Sequence, residues 1–372
     1  MISRVCNYTV KEGNNVGIFK SLIPFSEEYL PPQLIDRESE MQSIERFLQP
    51  LKNNCKSPSN LFITGGVGVG KTTTARFVLA SIPKTISSIH LTIAPNTTTY
   101  NLASLIAKSL HPDLNIKRST DEMLGECIKR TKNPTLLVLD EIDRAQIGEV
   151  EPILHTLSRF GQFNMLIISR RVDALEALPE DTKSSLKCRE TLLAPYTEET
   201  LLEILKQRAE LGLQPNTVSE DALRVIANYA AYFGNARLAI DILYEAAALA
   251  DSANVPKIDS ACAKSAISVC ERKAAKQALI TLPTTHRIAL ESIVETLKFQ
   301  PPTPSNVYYK WLGKLEKDGL PTFSIWKFYN VIAELEKLEF VSKVKHGKGR
   351  GRGVETMLQV PKHVQDVITP EE

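Results

Sequence analysis

Residues 65–72 read GGVGVGKT and fit the spacing G-x-x-x-x-G-K-[ST]. Gly65, Gly66, Gly68 and Gly70, with Val67 and Val69 between them, let successive backbone N–H groups curl round phosphate oxygens where a helix begins. Lys71 can then reach the terminal phosphates. Thr72 offers a hydroxyl to Mg²⁺, and Thr73 continues the cradle into the helix. Farther on, the apolar run LLVL ends in Asp140 and Glu141. Asp140 falls where a carboxylate can stand beside the metal, and Glu141 where one can orient or deprotonate an attacking water. An apolar run before acids often marks only the end of a strand. Downstream of a phosphate loop, in an alternating α/β pattern, it completes a nucleotide site.

A second chemistry-bearing stretch, SKVKHGKGRGRGVETMLQV, spans residues 342–360. It sets Lys343, Lys345, Lys348, Arg350 and Arg352 among glycines, with no acid until Glu355. Cations so placed displace condensed counterions from a polyphosphate, and glycines let the backbone approach it closely. The preceding residues predict a helix capped by Ser324, with Phe328, Val331, Ile332, Leu335 and Leu338 on one face. Trp326, Tyr329 and Asn330 then point outward, with Lys327 at the edge. A helix followed by two short strands around a basic turn is the winged-helix plan, in which the helix enters a major groove and the wing lies along phosphates.

These stretches need elements to position them. Pro31 and Pro32 break the lead-in, and Asp36 or Arg37 opens an amphipathic helix bearing Met41, Ile44, Phe47 and Leu48. From residue 60 the apolar runs NLFITG, SSIHLTI, TLLVLD and FNMLIIS alternate with helical stretches near 71, 98–110, 120–131 and 149–159, the mark of a parallel α/β sheet. After LLAPY the pattern turns almost wholly helical to about residue 275, and a third segment follows. Four regions result: an N-terminal segment with the first helix (1–57), an α/β core (58–196), a helical lid (197–276) and a winged helix (277–372). A chain of 372 residues suits two or three domains.

The formal net charge is only +2, so attraction for nucleic acid has to come from local clustering. Residues 301–352 supply it, with ten Lys/Arg against five Asp/Glu. The six cysteines form no CxxC pair, which argues against a zinc site and fits reduced thiols in a cytosol. No apolar run approaches the roughly 18 residues of a membrane span, and the N-terminus lacks a signal-peptide core. A cytoplasmic protein without a membrane partner is expected.

Taken in order, these motifs resemble the AAA+ ATPases, and within them the archaeal origin-recognition (ORC/CDC-type) replication initiators. GGVGVGKTTT and VLDEIDRA are similar to the family's Walker motifs, GNARLAIDIL to its sensor-2 helix, and residues 307–353 to its winged helix. The resemblance implies an α/β AAA+ P-loop core with a helical lid, followed by an α+β winged-helix domain. It implies ATP or ADP with Mg²⁺ as cofactors and duplex DNA at a replication origin as partner, with other initiator paralogues or the replicative helicase as further partners. It also implies that Arg237 contacts phosphates from the lid, and that Tyr196 and Arg208 line the nucleotide pocket. Tyr29, Leu30 and Pro31 would flank the adenine.

Two positions depart from the family. Arg170 stands where its sensor-1 segment has Asn, and Asp181 where its arginine finger belongs. Nucleotide binding is therefore expected, with at most slow hydrolysis unless Arg170 serves as a substitute cation. Ile325 and Trp326 likewise replace the Gln and Arg that the family's recognition helix often carries. The alternative readings are a clamp-loader-like subunit, which would end in a helical collar without a basic wing, and a P-loop ATPase regulator, which would continue into repeats.

Overall fold

The computed structural model describes residues 17–55, 59–114, 119–347 and 354–368. It divides into two compact units, one running to Ala263 and the other from Lys264.

The first unit begins with α1 (Glu38–Lys52), then alternates β1 (Asn60–Thr64), α2 (Lys71–Ser81), β2 (Ser87–Thr92), α3 (Thr99–Leu110), α4 (Thr120–Arg130), β3 (Thr135–Asp140), α5 (Ile147–Ser158), β4 (Phe163–Ile168), α6 (Glu180–Leu186) and β5 (Cys188–Leu192). The five strands are all parallel, in the order β2-β3-β4-β1-β5. Every residue of β1, β3 and β4 is buried, because helices cover both faces. Alternate residues divide between two cores. Phe62, Leu137, Leu139, Met165 and Ile167 pack with α3, α4 and α5 on one face. Leu61, Ile63, Leu136, Val138, Leu166 and Ile168 pack with α1 and α2 on the other. The carboxyl ends of β1, β3 and β4 therefore bring the glycine loop, Asp140 and Arg170 to one edge of the sheet, where open α/β sheets bind ligands.

Three helices continue this unit: α7 (Glu198–Gly212), α8 (Glu220–Ala231) and α9 (Ala236–Ser252). Thr197, Ser219 and Asn235 cap them, each side chain accepting from a backbone N–H three residues on. Next comes α10 (Ser260–Thr281), which includes residue 276, the edge of the lid as drawn from sequence.

The second unit contains α11 (Thr284–Leu297), α12 (Pro304–Lys317), α13 (Ile325–Lys337), an antiparallel ribbon of β6 (Ser342–Gly347) with β7 (Val354–Gln359), and α14 (Lys362–Ile368). Its core centres on Trp311 and Phe328, whose ring centroids stand 5.3 Å apart. The Trp311 indole N–H donates to the Thr285 carbonyl at 3.0 Å, so its burial leaves no polar atom stranded.

The structure adds to the elements read from sequence. β5 hid in sequence because Arg189 and Glu190 interrupt its apolar character. At the edge of the sheet beside β1 both remain exposed. Leu338 was expected on the buried face of α13, but the helix ends at Lys337. Leu338 is its C-cap and is 55% exposed.

Candidate functional site

Between β1 and α2 the chain turns tightly over the sheet edge. Gly68 and Gly70 have φ of 75° and 90°, and side chains there would meet Asn235 and the Tyr196 hydroxyl respectively. The loop thus needs glycine both for its backbone and for its neighbours. Lys71 folds back across it, its ammonium donating to the carbonyls of Gly65 at 2.7 Å and Gly66 at 2.5 Å. Burial pushes the Lys71 ammonium below its ordinary pKa, against the pull of Asp140. Thr72 opens onto the end of β3, its hydroxyl donating to Asp140 Oδ2 at 2.8 Å. Asp140 is 1% exposed and its Oδ1 has no partner. A buried carboxylate oxygen left free beside a hydroxyl is a hard-oxygen donor pair that suits a divalent cation. His90 on β2 also faces Asp140, at 3.6 Å, too far for a hydrogen bond.

Past Asp140 the chain enters a short turn. Glu141 takes a left-handed conformation, φ 58°, and its carboxylate pairs with Arg144 at 2.9 Å. Asp143 reaches under the end of β4, where it accepts from the Arg170 backbone N–H at 2.9 Å and the Arg170 Nε at 2.8 Å. Burial alone would raise the Asp143 carboxyl; those Arg170 hydrogen bonds outweigh it and hold the group below its usual range. Arg170 is thereby fixed on the same edge as Lys71 and Glu141.

Lys71, Thr72, Asp140, Glu141, Arg144 and Arg170, but not His90 or Asp143, line one cleft of about 430 Å³, which Val67, Gly68, Gly70 and Thr73 also border. Its other wall is built from Tyr29, Pro31, Tyr196, Arg208 and Arg237. Gly65, Gly66 and Val69 shape the loop without lining the cleft, and Leu30, expected beside Tyr29, is not among the lining residues. Arg208 stacks its guanidinium 4.2 Å from the Tyr29 ring centroid and donates to the Pro24 carbonyl at 3.1 Å. Arg237 pairs with Glu27, an acid from the N-terminal segment that the sequence did not single out. The Ala236 N–H donates to the Gly68 carbonyl at 3.1 Å, which ties the start of α9 to the loop.

The sequence reading also missed Arg37. It was expected only to open α1, yet it is 3% exposed. Its guanidinium donates to the carbonyls of Val69 at 3.2 Å and Ala194 at 2.9 Å, and lies 4.2 Å from the Tyr196 ring centroid. It therefore stitches the glycine loop to the end of β5. Arg37→Ala should cost about 1–3 kcal/mol for each carbonyl it strands. Chemical denaturation measures that loss, and an unchanged midpoint would show that the arginine is dispensable to the loop.

In the second unit Ser324 accepts from the Lys327 backbone N–H at 3.4 Å, as a cap should. Trp326 and Tyr329 are 77% and 41% exposed, and Lys327 and Asn330 are exposed beside them. Lys343 and Lys345 lie exposed on β6, but Lys343 is not free: its ammonium reaches Glu336 of α13 at 2.6 Å. Lys348, Arg350 and Arg352 lie outside the described residues.

Two family models match this chain: a Cdc6 AAA+ ATPase-type lid domain over residues 202–268 and an AAA domain over residues 54–175. Along 96% of its length it is 29% identical to ORC1-type DNA replication protein 1 of Sulfolobus acidocaldarius, covering 93% of that protein. The solved structure of the Aeropyrum pernix Orc1 protein in complex with DNA superposes with a TM-score of 0.73 at 25% identity, over 94% of this chain and 96% of that one. Cdc6p from Pyrobaculum aerophilum shares the fold, with a TM-score of 0.60 at 24% identity. The chain carries an AAA domain and a Cdc6-type AAA+ ATPase lid, and along nearly its whole length it is similar to ORC1-type replication proteins.

With an AAA domain and an intact phosphate loop it is a nucleotide-binding protein. The cleft at the sheet edge gathers the loop, Asp140 and the lid arginine that its sequence suggested. Asp181 lies on α6 and is exposed, and it offers a carboxylate where an arginine was expected. Among the described residues no helix is long and apolar enough to cross a membrane, and no group of three or more His, Cys, Asp or Glu is placed to hold a metal.

Proposed function

We propose that this chain is an ATP-binding replication initiator. It binds origin duplex DNA through the winged helix of its second unit, and its nucleotide state sets its conformation. The observation that carries this reading is the union, in one chain, of an intact phosphate loop facing Asp140 with a helix-and-ribbon unit, along a fold shared with a DNA-bound relative over 94% of its length. ATP or ADP would sit with its phosphates on the loop and Lys71, its adenine against Tyr29 and Pro31, and Tyr196 and Arg208 behind it. Mg²⁺ would be held by the Thr72 hydroxyl and the free oxygen of Asp140, where it neutralises phosphate charge. Arg237 would exchange Glu27 for phosphate oxygens as the nucleotide enters. Footprinting on genomic DNA, with and without ATP, tests the whole reading. Discrete protected tracts that change with nucleotide are expected; uniform, sequence-blind protection would overturn it.

The basic strip gives a second expected result. Alanine at Lys348 and Arg350 together should weaken duplex binding across all sequences and lower the slope of log K against log salt by about 1–2. Titration of a labelled duplex at several salt concentrations reads the slope directly. No change in it would mean that the strip touches no phosphate.

A further inference from the structure

The duplex-binding reading leaves open what kind of sequence the second unit's helix would select, and the first two turns of α13 bear on it. Ser324 through Asn330 are exposed, except Phe328, which anchors the helix in the core. Three of the exposed side chains are large and apolar: Ile325 at 38%, Trp326 at 77% and Tyr329 at 41%. Ile325 and Tyr329 stand four residues apart, as do Trp326 and Asn330, so the four form one continuous patch on the helix surface. An apolar residue exposed singly is ordinary, but three large ones at one helix end ask to be covered.

The charges around the patch say by what. Lys327 sits within it, and Lys345 is exposed on the neighbouring ribbon. No acid occurs between residues 324 and 333. The acids of α13 come later, and two are already engaged: Glu334 with His286 at 2.7 Å and Glu336 with Lys343 at 2.6 Å. An apolar patch that carries a lysine, and whose nearest acids on the helix lie a turn or more farther along and are already paired, suits an anionic surface with apolar points on it.

A DNA major groove is such a surface. Among the donors and acceptors of its base edges stands one methyl group, the C5-methyl of thymine. Ile325 can neither donate nor accept, and Trp326 has a single donor on a wide apolar ring. We infer that the exposed end of α13 reads thymine by its methyl group, so that the preferred duplex carries thymines opposite Ile325 and Trp326. This rests on the duplex-binding reading and deepens it: it names the chemical feature selected.

The test replaces thymine with deoxyuridine, which removes only that methyl, within a duplex protected in footprinting. Loss of affinity by about fourfold for each contacted methyl is expected. The same replacement in a random duplex should change little, which controls for effects on DNA shape. The double variant I325A/W326A should bind thymine and uracil duplexes equally and keep its salt-dependent binding to random DNA. Both side chains are exposed, so its thermal melt should match the parent. Equal affinity of the parent for the two duplexes would overturn the inference alone. So would a variant that keeps the parent's full thymine preference, which would show that residues other than Ile325 and Trp326 read the methyl. Absence of any duplex binding by the parent would instead overturn the DNA reading on which the inference stands.

Discussion

Lys71→Ala should abolish the binding of Mg·ATP to this protein. The lysine is the one ammonium on the glycine loop, already drawn over it by the carbonyls of Gly65 and Gly66. When phosphate oxygens arrive it exchanges two neutral acceptors for charged ones, and hydrogen bonds between ions contribute about 1.5–3 kcal/mol each. Losing two of them is worth about 3 kcal/mol or more, at least a hundredfold in Kd. Burial strengthens the case, because the Lys71 ammonium is held partly desolvated and has little hydration left to lose on meeting the ligand. Two measurements separate this from a loop that simply collapses. Equilibrium dialysis with labelled ATP should show no retention by the variant. Its melting midpoint without nucleotide should stay near the parent's, while the added stability the parent gains at a hundredfold excess over Kd, about 2.7 kcal/mol, should vanish. A variant that still gains that stability would show that the nucleotide is held elsewhere.

The loop and Asp140 were legible in sequence because each is local. Glycine spacing, a lysine and an apolar run ending in acid are set by neighbours in the chain, and the α/β alternation says which edge they share. The buried strands were legible for the same reason. What escaped depends on contacts between distant residues. Arg37 donates to carbonyls 32 and 157 positions away, so an arginine that reads as the polar start of a helix becomes a buried brace. The Glu27–Arg237 pair joins the N-terminal segment to α9, and no spacing rule predicts it. Lys343 was counted in a run of five cations without an acid, but Glu336, between Leu335 and Leu338 of the predicted apolar stripe of α13, turns to meet it. Charge along a sequence records which ions exist, and only the fold records which are already paired.

ATP, once bound, should be held far longer than it takes a working ATPase to cleave it. Two groups that speed phosphoryl transfer are altered in this chain, and a third is engaged. Glu141, the candidate to orient water, has its carboxylate occupied by Arg144 at 2.9 Å. At the end of β4, where an uncharged amide was expected to position that water, Arg170 is fixed to Asp143 through both its backbone N–H and its Nε. On α6 the exposed Asp181 would present negative charge to a neighbour's phosphates and so repel them. An arginine supplied from outside is worth about 10³–10⁵ in rate in related phosphoryl transfers, and this chain has no arginine at that position to give. Single-turnover release of labelled phosphate should therefore be slow, and raising the protein concentration should not speed it. Arg170 decides the other outcome. Its Nε is occupied by Asp143, but the far end of a guanidinium carries further N–H donors, and Arg170 borders the cleft that holds Lys71 and Glu141. If that end stabilises the departing phosphate within the same chain, release will be brisk and Arg170→Ala will abolish it. Slow release that Arg170→Ala leaves unchanged would make Arg170 part of the scaffold around Asp143. The protein would then be a switch that is set by loading ATP and reset by losing it.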